Sequence, residues 1–122
     1  LPAPDAFPAV FQELRAILAP YADRFTVTRD GPDAYSLDVA HSPKFRKPLL
    51  FGSVVINRSY VSFHLFPVYT CPDLLAAVSP ELRARMQGKA CFNFRARLGG
   101  LRDQLADLTR RGFERFQSEG IM

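Results

Sequence analysis

Apolar residues recur at helical spacing near the start of the chain: Phe7, Val10, Phe11, Leu14, Ile17 and Leu18 fall on one side of a 3.6-residue period. The spacing predicts an amphipathic helix over 7–18. Asp5 or Phe7 stands at its cap position, Pro8 lies in the first turn, where a missing N–H does no harm, and Pro20 marks the end. The period then shortens to two. Phe25–Thr28 leads into the turn Asp30-Gly31-Pro32-Asp33, after which Tyr35, Leu37 and Val39 alternate with Ser36, Asp38 and Ala40. That alternation predicts a strand pair with one buried face. Beyond the polar loop 41–47, the β-branched run Leu49–Ile56 reads as a third strand, and Asn57-Arg58-Ser59 as a tight turn into a fourth, Tyr60–Phe66. Val61, Phe63 and Leu65 take one face of the fourth strand; Tyr60, Ser62, His64 and Phe66 take the other. A strand so rich on both sides belongs near the centre of a sheet.

Pro67 closes the fourth strand. The segment 72–78 predicts one short helix, and Ser79-Pro80-Glu81-Leu82, with Ser as cap and Pro in the first position, starts a second that ends at Gly88. Lys89–Arg97 alternates again as a fifth strand. Leu101, Leu105, Leu108, Gly112 and Phe116, with Phe113 beside them, stripe a closing helix. The links near Gly31 and Arg58 are too short for crossover helices, so the sheet is antiparallel. The expected class is α+β: an α-β(5)-α order, a curved antiparallel sheet backed by the N- and C-terminal helices, with short helices before the last strand. Those short helices, near Leu75 and Leu82, are expected to roof part of the other face.

A chain of 122 residues, 48% hydrophobic, has material for one core. Residues 1–122 therefore read as a single domain with an ordered core at about 5–117. The longest apolar run, Pro48–Ile56, is far short of a membrane span, and no basic stretch followed by an apolar one opens the chain, so a soluble cytoplasmic protein without membrane contact is expected. Cys71 and Cys91 form no dense framework, and free buried thiols are expected rather than a disulfide.

Charge is unevenly distributed along the chain. Residues 1–38 carry three arginines against six acids, residues 39–102 carry ten Lys or Arg against Asp73 and Glu81, and residues 103–122 nearly balance. The middle of the chain is thus basic. Lys44, Arg46 and Lys47 flank Phe45 in one loop, and Arg83, Arg85, Lys89, Arg95 and Arg97 follow. Gathered on one side, they would attract an anion and offer an aromatic ring for stacking; scattered, they are only solvated charges. No helix-turn-helix, KH or RNP signature accompanies them, so nucleic acid is a weak candidate partner. The last-helix arginines fall four residues from acids, as in Asp107–Arg111 and Arg110–Glu114, and are expected to neutralise locally.

Three stretches carry a family likeness: Lys44-x-x-Lys47-Pro48 ahead of a strand, the run Tyr60–Tyr69 (YVSFHLFPVY), and Gly88–Phe94 (GKACFNF) before the last helix. Together they resemble the YdhG-like group of small, mostly uncharacterised bacterial proteins, over roughly residues 5–117. The resemblance implies a frataxin-like α-β(5)-α fold and, from one branch of the group, intracellular iron delivery. Frataxin-type iron handling uses a carboxylate ridge on the first helix and strand, because such a cation wants oxygen ligands. Here that region offers only Asp5, Glu13 and Asp23, diluted by Arg15 and Arg24. The fold therefore transfers more readily than the activity.

His64 is the most telling single side chain, since a histidine in an apolar strand needs a hydrogen-bond partner or an open cleft. Either it bonds a hydroxyl such as Tyr60 or Tyr69, or it lines a ligand pocket with Tyr60 and Ser62. His41, His64, Cys71 and Cys91 have no ligand-like spacing, so neither a metal nor a cofactor is expected. A nucleophilic Cys91 or Cys71 would need a base and a cation nearby, roles open only to a distant His64 and to Lys89. Paired carboxylates and a phosphate-binding glycine loop are missing from the pattern, Gly99-Gly100 being a turn. The expectation is a non-enzymatic binding module, monomeric or homodimeric, for a small anionic or aromatic ligand. Its candidate contacts on the open sheet face are Tyr60, Ser62, His64, Lys44, Arg46, Lys47, Lys89 and Asn93. The alternatives are an iron chaperone and an accessory protein binding nucleic acid or an acidic partner protein.

Overall fold

A computed structural model describes residues 6–122. Helix α1 (Phe7–Leu18) runs into a 3-10 turn at Ala19–Arg24. Strands β1 (Thr26–Asp30), β2 (Ala34–Ser42), β3 (Lys47–Ile56) and β4 (Val61–Leu65) follow as a meander. Then come α2 (Phe66–Thr70), a 3-10 turn at Pro72–Ala77, α3 (Pro80–Arg83), the hairpin β5 (Met86–Gln87) and β6 (Cys91–Phe94), and α4 (Leu101–Ser118). The sheet order is β1-β2-β3-β4-β6-β5, with every pair antiparallel. This is the α+β arrangement that the alternating and helical periods predict.

The helix layer is built from the α1 stripe and Leu105, Leu108, Thr109, Gly112 and Phe116 of α4, all buried against Leu37, Phe51, Val54, Phe63, Leu65 and Phe92 of the sheet. Two glycines allow the layers to close. A Cβ at Gly52 would sit 2.8 Å from Leu18 Cδ2, and one at Gly112 would sit 2.8 Å from Pro67 Cβ. Tyr21, Phe25, Phe51, Phe113 and Phe116 fill the β3 side of the core, with Phe25 stacked on Phe51 at 4.3 Å between centroids. Offset rings of this kind add stabilisation beyond their area.

Four expectations change. Ala6 occupies the α1 cap without a side-chain bond, and the expected Asp5 cap lies outside the described residues. Phe66 opens α2 rather than ending β4, because Pro67 cannot donate to a ladder but suits a first helical turn. The Ser79-capped helix stops at Arg83, and Met86–Gln87 turns back to pair with β6 as a sixth, two-residue strand. Gly88 (φ +80°) supplies the turn of that hairpin, not a helix terminus. The short β5 covers the edge that β6 would otherwise expose, and so short a strand leaves little edge of its own. Finally, the short helices do not roof the open face. They join the helix layer, where Leu74 and Leu82 are buried in the core, Arg111 Nη1 donates to the Leu74 carbonyl at 3.3 Å, and Ser79 Oγ bonds the Gln104 side chain.

Candidate functional site

The uncovered sheet face carries a polar row set by strand register. Arg29, Ser36, Ser53, His64, Cys91 and Gln87 occupy successive partner positions across all six strands. Val55, Ser62 and Asn93 form a parallel row beside it. The period-two pattern in β4 thus does bring Ser62 and His64 to one face, and the β6 register puts Cys91 and Asn93 next to them. His64 finds its partner there: Nδ1 lies 3.3 Å from Cys91 Sγ, not against Tyr60 or Tyr69. Ser62 Oγ accepts from Asn57 Nδ2 at 3.2 Å, and Asn93 Nδ2 donates to Gln87 Oε1 at 2.8 Å. Tyr60 lies just outside β4 in the turn, where its carbonyl accepts from Asn57 N.

Burial lowers the His64 pKa and raises that of the Cys91 thiol. Both directions favour the neutral pair over thiolate and imidazolium, because each removes water from the charged form. An activated nucleophile requires the opposite shift.

The basic loop stands apart from this row. Lys44 and Arg46 occupy the β2–β3 turn, where Arg46 takes φ +61°, and Lys47 opens β3. Lys47 lies six positions along β3 from Ser53, the partner of His64, which amounts to about 20 Å along the strand. Hairpin topology sends Ser62 to the other end of the sheet. Lys44 instead reaches Glu119 of α4 at 3.5 Å, and Phe45 is left 41% exposed. The expected union of Tyr60, Ser62 and His64 with Lys44, Arg46 and Lys47 is therefore not formed.

Lys89 belongs to a different feature. It sits in the β5–β6 turn and lines a groove of about 510 Å³ with Gly88, Met86, Arg83, Val68, Tyr69, Pro72 and Leu75. Most of the lining residues are apolar, Tyr69 is 52% exposed, and the charged lining consists of Arg83 and Lys89. Neither cation forms an ion pair among the described residues. The acids on the adjoining part of α4 and its 3-10 neighbour are taken: Asp73 and Glu119 both bind Arg115, at 2.7 and 2.9 Å. Arg115 pulls both carboxyls below their ordinary range. Sequence patterning missed Tyr69 and Met86 as site residues, because the groove exists only once 86–87 is a strand and the chain at 66–77 folds back beside it.

Among the described residues no group of three or more His, Cys, Asp or Glu side chains gathers to hold a metal ion. Glu13, one of the few acids that the first-helix region offers, is bound to Arg97 and to the Leu98 amide. No described helix is long and apolar enough to cross a membrane, and both cysteines are free. Comparison with protein-family models, with curated proteins and with solved structures finds no match to this chain.

Proposed function

We propose that this protein is a non-enzymatic binding module, a cytoplasmic YdhG-like domain of frataxin type, whose ligand is a small amphipathic organic anion held in the groove beside β5. The observation that carries this reading is the groove's composition: a mainly apolar lining with an exposed tyrosine, two cations that are unpaired among the described residues and no carboxylate. Its volume falls in the range of small-molecule sites, roughly 300–1,000 Å³. The apolar body of a ligand would displace water from Leu75 and Met86, while its acid group would meet Arg83 and Lys89. Arginine suits the paired oxygens of a carboxylate or sulfonate, and lysine adds a mobile point charge. The ligand class is the one that the basic middle segment implies, moved from the centre of the sheet to its β5 edge. The free thiols support a reducing compartment. The iron-chaperone alternative draws no support from the donors, since Glu13 is occupied by Arg97.

Titration with anilinonaphthalene sulfonate, an amphipathic aromatic anion, tests the proposal. A single saturable site is expected, weakened about tenfold by Lys89→Ala or Arg83→Ala and abolished by Leu75→Asp. Binding indifferent to Lys89 and Arg83 would sink it. Native mass spectrometry of the freshly purified protein then identifies any resident acid.

A further inference from the structure

A second, smaller hollow lies on the other side of β5. It has a volume of about 240 Å³ and is lined by Ala84, Arg85, Met86, Gln87, Asn93 and Arg95. We infer that this hollow is a separate oxyanion site, built for a phosphate or phosphate monoester. It goes beyond the groove reading and does not depend on it.

The chain holds the Arg85 backbone and the Arg95 side chain in place. Arg85 lies between α3 and β5, where its N–H donates to Leu82 O at 3.0 Å and its carbonyl accepts from Asn93 N at 2.9 Å. Arg95 follows β6 directly, and its Nε donates to the Ser59 carbonyl at 3.3 Å. That bond fixes the plane of the guanidinium and leaves the terminal nitrogens, which form the bidentate fork, unengaged. The Asn93 amide, tied to Gln87 Oε1, leaves the Gln87 amide nitrogen as one more donor on the wall.

Charge sets this hollow apart from the surface that five other arginines cover. Arg15, Arg97, Arg110, Arg111 and Arg115 each hold a carboxylate. Arg85 and Arg95 share one hollow, and among the described residues neither has an acidic partner, nor does a carboxylate line the wall. Two guanidinium groups facing the same small space repel until an anion sits between them, and a doubly charged one gains from both. The space is several times the roughly 30 Å³ share of one water, enough for a tetrahedral oxyanion with part of its hydration.

The test is titration of the full chain with inorganic phosphate at physiological salt, followed by amide NMR. Saturable shifts centred on Gln87 and Asn93 are expected, with affinity reduced about tenfold or more by either Arg85→Gln or Arg95→Gln. Lys89→Ala and Arg83→Ala, across β5, should weaken phosphate binding less than either hollow-arginine replacement does, because they remove only screened attraction and no contact in the hollow. Both arginines are exposed, so the variants should keep the parent circular dichroism. Phenyl phosphate supplies the second arm: tighter binding through the same arginines marks an organic monoester as the ligand, and equal binding marks the free ion. Non-saturating shifts, or shifts that survive both arginine replacements, would overturn the inference.

Discussion

His64 and Cys91 face each other across the β4–β6 pair as direct register partners, with Nδ1 and Sγ 3.3 Å apart. The contact satisfies a histidine that the surrounding sheet partly strips of water. Burial holds the folded-state pKa below the ordinary 6.5, so the unfolded chain binds this proton more readily than the folded one. Stability from this group is therefore complete above pH 6.5 and falls as the pH drops through that value toward the depressed one. Urea unfolding between pH 8 and pH 5 should show this loss, and His64→Gln should flatten it. A His64 variant with an unchanged pH slope would mean that the ring titrates alike in both states.

Gly112 gives a prediction whose sign rests on a competition. Alanine in mid-helix is favoured over glycine by up to about 1 kcal/mol. Its Cβ would sit 2.8 Å from Pro67 Cβ and 3.0 Å from Pro67 Cγ, and a pyrrolidine ring cannot rotate away. Overpacking of that kind costs about 1–3 kcal/mol. Gly112→Ala should thus lower stability by about 1 kcal/mol in denaturant unfolding, against the helix-propensity trend.

What could be read along the chain was whatever local periodicity determines. The α1 stripe, the β4 alternation and the Asp107–Arg111 and Arg110–Glu114 pairs all appear where spacing places them. Met86–Gln87 did not, because two residues hold no period, and their strand state is imposed by the free edge of β6. The Cys91 partner of His64 was equally hidden, since it follows from register between segments 27 residues apart. The same holds for the ligand site: Lys89 was visible as a charge, but its neighbours Tyr69 and Arg83 are set by chain packing alone.

Arg115 clamps two acids from different segments, Asp73 of the 3-10 turn and Glu119 at the end of α4. Its hydrogen bonds push both carboxyl pKa values down. Their contribution to stability is present above the ordinary carboxyl range and is lost as pH falls through the depressed values. Carbon-detected NMR titration should therefore find Asp73 and Glu119 titrating below Asp and Glu in short peptides. Arg115→Gln should return both toward normal, and loosen the 72–77 turn from α4 in hydrogen exchange.

The two thiols provide a test of the proposed binding role against a catalytic one. Burial raises the pKa of Cys91, and it also leads the causes that raise Cys71, where the neighbouring Glu119 adds to the effect and Thr70 and Arg115 oppose it. Alkylation proceeds through the thiolate, so both should react with iodoacetamide at neutral pH on the order of tenfold or more below free cysteine. Access ranks them: Cys91 is half-buried on the open face, whereas Cys71 is buried beside α4, so Cys91 should label first. His64→Ala should leave the Cys91 rate within about twofold, because a neutral imidazole bonded to a thiol lends no positive charge to a thiolate. Rapid labelling of Cys91 that collapses in His64→Ala would instead reveal a thiolate–imidazolium pair, and with it a nucleophile.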